Sequence, residues 1–143
     1  MSKLLDFHQQ QKPAHLISPV ALAYVGDAVF ELIIRQYLIS LPNHKSQHMH
    51  KQATSFVSAK AQHELLNKWL PHLMEEELDI VKRGRNAKSG TPPKNASVTD
   101  YRHATAFECL VGYLYMSSQT ERLEQLIAIG LDTVGHQVEG KEV

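Results

Sequence analysis

The chain has 143 residues, of which 43% are hydrophobic, and it contains one cysteine. This size and composition suit one globular domain, and they exclude a disordered chain, an intramolecular disulfide bond and, since no apolar run approaches about 20 residues, a membrane span. Fifteen basic and fifteen acidic residues give a formal net charge of zero, so only a local basic segment could indicate a nucleic-acid partner.

The apolar residues recur at helical spacing, and the alternation typical of a strand never persists. We therefore predict an all-α domain of about five to seven helices. Residues 1–17 are polar and are expected to form an irregular lead-in. Ser18 and Pro19 begin the first helix, which continues to about Leu41. This helix is apolar on nearly every side, so we expect it to be buried in the core or in a subunit interface.

Prolines, glycines and capping residues divide the rest of the chain into further helices. The predicted segments are a helical region over about 46–70 with a break near Ser58, a short helix over 74–83, a loop over 84–98, and helices over about 99–117 and 120–135. Residues 136–143 are expected to be a frayed tail, so the domain itself is expected to span 18–135.

Asp27 lies in the middle of the first predicted helix, in the apolar run Tyr-Val-Gly-Asp-Ala-Val at 24–29. A buried carboxylate is costly unless it is paired or binds a metal, and a structural Asp held by a hydrogen bond or an arginine is an equal alternative. The preceding Gly26 weakens the helix and indicates that another backbone or a ligand approaches closely. Glu31 is better explained by an ion pair with Arg35 than by a metal-ligand role.

Glu108 is likewise an acidic residue in the middle of an apolar predicted helix. Gly112 follows it by one turn and indicates close helix packing. Two such helices could bring both carboxylates to one hard cation, and Mg²⁺ suits carboxylate oxygens and phosphate substrates. Between Asp79 and Asp100 there are five basic residues and no acidic residue. This loop could contact a phosphate backbone, although a solvated surface loop is the other interpretation.

Three short motifs, in this order, resemble the ribonuclease III family. Residues 24–29 resemble the family's signature run, 83–90 resemble the segment before its second acidic helix, and 107–112 resemble that helix. The runs at 21–27 and 82–91 are most similar to the Mini-ribonuclease III subgroup. Its members are catalytic domains without an appended double-stranded-RNA-binding domain.

The resemblance implies an α-helical homodimer that cuts both strands of duplex RNA by metal-assisted hydrolysis, leaving 5′-phosphate and 3′-hydroxyl ends. For the subgroup it implies maturation of the large-subunit (23S) ribosomal RNA precursor in the cytoplasm, with a ribosomal protein as a candidate helper. Carried over by position, Asp27 and Glu108 are the catalytic residues and the ligands of Mg²⁺, for which Mn²⁺ can substitute. The predicted RNA contacts are Arg83, Arg85, Asn86, Lys88, Ser89 and Lys94 of the loop, with Lys60 and Gln62 as further candidates.

Two positions depart from the pattern of the full-length family, which has further carboxylates four residues before the aspartate and three before the glutamate. Ala23 and Thr105 stand there, so we expect fewer protein ligands and weaker metal binding. These losses leave open a non-catalytic RNA-binding or ribosome-assembly protein on the same fold. A metal-dependent nucleotide pyrophosphohydrolase is a third hypothesis, for which the acidic cluster at 75–79 is the only candidate site.

Overall fold

The computed structural model describes residues 12–42, 46–87, 92, 94 and 97–142, and all regular elements in these ranges are helices. The six α-helices are, in chain order, α1 Pro19–Ile39, α2 Ser46–Val57, α3 Ala59–Trp69, α4 Glu75–Asn86, α5 Val98–Met116 and α6 Thr120–Glu142. Short 3-10 turns at Ala14–Leu16 and Leu70–His72 precede α1 and follow α3. The prediction of an all-α domain of about five to seven helices is confirmed.

Serine caps determine where three of these helices begin. The hydroxyl groups of Ser18, Ser58 and Ser97 each accept a hydrogen bond from the backbone N–H three residues later, at 3.0–3.2 Å. Such a bond satisfies one of the N–H groups that the first turn of a helix leaves unpaired. The predicted start at Ser18 and the predicted break near Ser58 are therefore confirmed.

Two helices extend beyond their predicted ends. Helix α4 continues to Asn86, since Gly84 does not end it as we predicted. Gly84 lies inside the helix and close to the backbone of α5: a Cβ atom there would lie 2.9 Å from the Cα atom of Ala106. The backbone of α6 continues to Glu142, where we predicted an end near Gly135. A glycine costs a helix only about 1 kcal/mol, which neighbouring turns can offset. The domain limits of 18 and 135 stay predictions.

Helix α5 lies at the centre of the fold and packs against α1, α3 and α4. Its Phe107 is fully buried, and its ring meets Phe30 of α1 edge-on at 4.8 Å and Trp69 of α3 at 4.6 Å between ring centroids. Large aromatic rings contribute most to the burial of a small core. Any polar side chain on the middle of α5 therefore lies close to this core.

Helix α1 is buried on one side only. Leu22, Phe30, Ile34 and Leu38 are at most 1% exposed, which confirms its predicted place in the core. Its opposite face carries large apolar residues that stay exposed, namely Val20 at 46%, Tyr24 at 82%, Leu32 at 53% and Ile39 at 62%. We call these four residues the exposed α1 face. Within the described residues, no helix is long and apolar enough to cross a membrane.

A buried ion pair links α4 to α6. The carboxylate of Glu77, which is 1% exposed, accepts two hydrogen bonds from Arg122 and one from the backbone N–H of Met74, each at 2.8 Å. Burial acts to raise the pKa of Glu77, but the hydrogen bonds from Arg122 and Met74 outweigh it and lower that pKa. Glu77 is thus occupied as a structural group, which argues against the acidic cluster at 75–79 as a metal site.

We expect Arg122→Ala to lower the free energy of unfolding by about 2 kcal/mol at neutral pH, because Glu77 would stay buried with only its backbone donor. The pKa of Glu77 is lower in the folded protein than its ordinary value of 4.5. The stabilisation is therefore present above that value and is lost as the pH falls through the folded-state pKa. Urea unfolding at neutral and acidic pH measures both effects.

The control for this prediction is Arg35→Ala. Arg35 forms an exposed ion pair with Glu31, at 3.1 Å, and removing such a pair should cost only a few tenths of a kcal/mol. Equal losses in the two variants would contradict the role given to Arg122.

Candidate active site

Two glycines bring α1 and α5 into backbone contact. Gly26 of α1 faces the carbonyl oxygen of Glu108, and Gly112 of α5 faces the carbonyl oxygen of Leu22; in both places a Cβ atom would overlap that oxygen. Only glycine leaves room for two helix backbones to approach so closely. The close approach predicted at Gly26 and the close packing predicted at Gly112 are both confirmed.

This crossing places the side chains of Asp27 and Glu108 together. The two carboxyl groups lie close enough for the Asp27 carboxylate to accept a hydrogen bond from Glu108 when Glu108 is protonated. Burial first, and then the hydrogen bond and the charge of Asp27, raise the pKa of Glu108 to about 8. Two carboxyl groups in contact repel each other when both are ionised, and a divalent cation between them would remove that repulsion.

The expected burial of Asp27 was wrong. Asp27 is exposed in the structure, whereas Glu108 is half-buried. Of the apolar neighbours that suggested burial, Tyr24 lies on the exposed α1 face and is 82% exposed, and Val25 and Val29 are only half-buried. Asp27 therefore opens the carboxylate pair to solvent, where a cation and a substrate can reach it.

Gln62 of α3 completes the surroundings of Glu108. It is 2% exposed, and its side-chain amide lies near the Glu108 carboxylate, where it acts to lower the pKa of Glu108 against the effect of burial. This enclosed position argues against Gln62 as the RNA contact that the sequence predicts. No local sequence signal indicated its true position, which depends on α3 packing against α5.

The donor set at this site consists of oxygen atoms. Among the residues that the structure describes, no group of three or more His, Cys, Asp or Glu side chains is placed to hold a metal ion. Thr105, at the position of a family carboxylate, is 7% exposed and donates its hydroxyl hydrogen to the carbonyl of Tyr101 at 3.0 Å. Two carboxylates without nitrogen or sulfur donors fit a hard cation such as Mg²⁺.

Glu31 is not part of this pair. Its carboxylate accepts a hydrogen bond from Arg35 at 3.1 Å, which confirms the predicted ion pair. Both residues line a cavity of about 310 Å³ between α1 and α2, and neither Asp27 nor Glu108 lines that cavity. The cavity is therefore separate from the carboxylate pair.

The remaining predicted RNA contacts occupy different positions. Arg85 and Asn86 are exposed on the last turn of α4 and not in a loop, and Lys60 and Lys94 are exposed on α3 and between α4 and α5. Arg83 is half-buried and donates to the carbonyl of His15 at 2.9 Å, so part of its guanidinium holds the first 3-10 turn in place. Lys88 and Ser89 lie outside the described residues, and their roles stay predictions.

Comparisons with known proteins agree with this geometry. The family model described as the Ribonuclease III domain matches residues 20–119. The Mini-ribonuclease 3 of Brevibacillus brevis is 50% identical over 113 residues, which cover 79% of this chain and 84% of that protein. The Mini-ribonuclease 3 of Enterococcus faecalis is 53% identical over 121 residues, covering 83% and 92%. A crystal structure of a Fusobacterium nucleatum protein is similar with a TM-score of 0.78 and 31% identity, covering 85% of this chain and 99% of that one.

Proposed function

The chain belongs to the ribonuclease III family and is an endoribonuclease, and from this premise we propose that it hydrolyses double-stranded RNA with Mg²⁺ held by Asp27 and Glu108. The observation that carries the proposal is the contact between these two carboxyl groups at the glycine crossing of α1 and α5. The products would be 5′-phosphate and 3′-hydroxyl ends. Because the chain belongs to a family of ribonucleases, the non-catalytic alternative is less well supported.

Asp27 and Glu108 would hold the cation, with Mn²⁺ as a substitute for Mg²⁺. When bound, the cation supplies Lewis acidity to the phosphoryl group and lowers the pKa of a bound water. Gln62 would orient Glu108 by donating to its carboxylate. Because Ala23 and Thr105 stand where the full-length family has acids, water and RNA phosphate oxygens would provide more of the ligands than in that family.

We further propose that two copies of the chain pair through the exposed α1 face. Val20, Tyr24, Leu32 and Ile39 form a row of large exposed apolar residues on the helix that carries Asp27, and burying such a row against its own copy would remove it from water. Two symmetry-related sites could then act on the two strands of one RNA duplex.

The resemblance to the Mini-ribonuclease III subgroup supports a finer proposal about the substrate. We propose that the RNA is the precursor of the large-subunit (23S) ribosomal RNA, processed in the cytoplasm with a ribosomal protein as a helper. A-form RNA is recognised mainly through its phosphates and 2′-hydroxyl groups, so the exposed Arg85, Asn86, Lys60 and Lys94 are the proposed contacts within the described residues.

Incubating the purified protein with duplex RNA, single-stranded RNA and duplex DNA, each with Mg²⁺ or with EDTA, tests the proposed function. We expect cleavage of duplex RNA with Mg²⁺ alone. Binding of duplex RNA without cleavage in Mg²⁺ or Mn²⁺ would instead favour the non-catalytic alternative. Cleavage of duplex RNA in EDTA would contradict the metal site.

The raised pKa of Glu108 predicts that Mg²⁺ binding depends on pH. At pH 7 a carboxyl group with a pKa of about 8 is roughly nine-tenths protonated, so it must release a proton to bind the cation. Below pH 8 the dissociation constant for Mg²⁺ should therefore fall about tenfold for each unit by which the pH rises, and it should level off above pH 8. Calorimetric titration in two buffers of different protonation enthalpy measures the affinity and the released proton together.

Glu108→Gln is the control for this titration. The amide cannot release a proton, so its residual Mg²⁺ binding should be weaker and independent of pH. A wild-type dissociation constant that stays constant between pH 6 and 8 would show that Glu108 does not ionise on metal binding.

A further inference from the structure

A second group of polar side chains lies where the first turn of α5 meets α3. His63 of α3 donates from Nδ1 to the carboxylate of Asp100 at 2.8 Å. The ring of His103, three residues further along α5, stacks on His63 with the ring centroids 4.0 Å apart and the planes inclined by 21°. Lys60, three residues before His63, is exposed and acts on Asp100 through its charge. We call these four residues the histidine cluster.

The hydrogen bonds of the histidine cluster leave one nitrogen of each ring without an assigned partner. The Nδ1 hydrogen of His103 is donated to the carbonyl of Thr99 at 2.8 Å, as that of His63 is donated to Asp100. Within the described residues, neither Nε2 atom has a hydrogen-bond partner. The side chains of His63 and Asp100 are 20% and 29% exposed, so the cluster is open to solvent on one side.

The histidine cluster lies on the same side of α5 as the catalytic carboxylates. Asp100, Ala104 and Glu108 follow one another at intervals of four residues, which places them in one row along the helix. Asp100 is therefore two turns, or about 12 Å, before Glu108 along this row. Gln62, which contacts Glu108, is also the chain neighbour of His63. The cluster thus lies about two helical turns from the carboxylate pair, along the same row of α5.

The basic segment, residues 82–94, precedes the part of the histidine cluster that lies on α5. It ends at Lys94, shortly before Ser97 caps α5, and Asp100 is in the first turn of that helix. The capped first turns of α3 and α5 also present partial positive charge to this region. The neighbouring charged residues Glu64 and Arg102 are exposed and of opposite sign. A phosphate here would meet two imidazoles, Lys60, two helix N-termini and the carboxylate of Asp100, whose charge is offset by Lys60 and by its bond to His63.

From this placement we propose that His63, His103 and Lys60 bind one phosphate group of the RNA backbone a short distance along the duplex from the bond that is cut. The inference rests on the proposed cleavage of duplex RNA. Each imidazole would contact a phosphate oxygen through Nε2, while Nδ1 stays bonded to its protein acceptor; both nitrogens donate in the imidazolium form. Asp100 acts as a positioning residue, because its carboxylate fixes the ring of His63.

The proposal is tested by the salt dependence of RNA binding, measured with duplex RNA in EDTA so that no cleavage occurs. The variants are His103→Gln, Lys60→Gln and the double variant, and the control is His50→Gln, an exposed histidine on α2. Each lost phosphate contact should lower the slope of log K against log salt by about one, and affinity at 50 mM salt should fall about tenfold in the double variant. His50→Gln should bind like the wild type.

An unchanged salt slope in His103→Gln and in the double variant would overturn the inference, even with weaker binding, because a sugar or base contact does not release counterions. Thermal unfolding of each variant shows whether a loss of binding is a loss of folding. Lys60→Gln keeps the test decisive, since its exposed side chain is not needed for packing. If the wild type neither binds nor cuts duplex RNA, the proposed function itself fails. If the wild type cuts duplex RNA while the variants keep the wild-type salt slope of RNA binding, only this inference fails.

Discussion

Asp27→Asn should reduce Mg²⁺-dependent cleavage of duplex RNA by about 1,000-fold or more and leave the protein folded. An amide keeps the shape of the side chain but provides no anionic oxygen for the cation. Because Asp27 is exposed and not packed in the core, its replacement should change the free energy of unfolding by less than about 0.5 kcal/mol. Single-turnover cleavage at increasing Mg²⁺, together with thermal unfolding, measures both effects.

The matched control is Glu31→Gln, one turn further along α1. It removes the same charge from the same helix, but Glu31 pairs with Arg35 and does not contact Glu108. We expect its cleavage rate to stay close to that of the wild type. Wild-type cleavage by Asp27→Asn would refute the assignment of the carboxylate pair, and a large loss in Glu31→Gln alone would move the metal site one turn along the helix.

Gly26→Ala should lower the free energy of unfolding by more than about 3 kcal/mol, although alanine is favoured over glycine in a helix by about 1 kcal/mol. The added Cβ atom would overlap the carbonyl oxygen of Glu108 and lie 2.8 Å from the backbone nitrogen of Gly112. Both are backbone atoms of a helix and cannot rotate away. Helices α1 and α5 would have to separate, which also moves Asp27 away from Glu108.

Gly130→Ala is the control for this substitution. Its Cβ atom would meet only side-chain atoms, the Cδ2 atom of Leu65 at 2.8 Å and the Nε1 atom of Trp69 at 3.3 Å. These groups can shift, so we expect a change of less than about 1 kcal/mol. Urea unfolding of both variants gives the comparison, and similar stabilities would mean that the crossing of α1 and α5 tolerates a methyl group.

The parts of the fold that depend on local chemistry could be predicted from the sequence. The side chains of Ser18 and Ser58 and their sequence neighbours indicate helix caps. Gly26 indicates a close approach of another backbone, because a glycine is costly inside an apolar helix. Asp27 and Glu108 each lie near a glycine in an apolar helix, and this shared pattern indicated that they share a site. Each of these inferences needs only a few consecutive residues or one resemblance.

The errors concern properties that arise only when helices pack. Asp27 is exposed because the described part of the chain covers one side of α1 and leaves the other side open. An apolar run along α1 cannot indicate which side of the helix is covered. Gln62 is enclosed because α3 lies against α5, so its polar side chain lies beside Glu108 and not on the surface where we expected it. Gly84 continues α4 because its missing side chain lets α4 approach α5.

The packing of Trp69 on Phe107 provides a label-free optical signal. Trp69 is the only tryptophan of the chain, is 1% exposed, and packs against Phe107, which directly precedes Glu108. Tryptophan fluorescence therefore originates from one known place, at the core side of the carboxylate pair, with no second tryptophan to separate. Unfolding curves and metal titrations of this protein and its variants can be followed by the same emission.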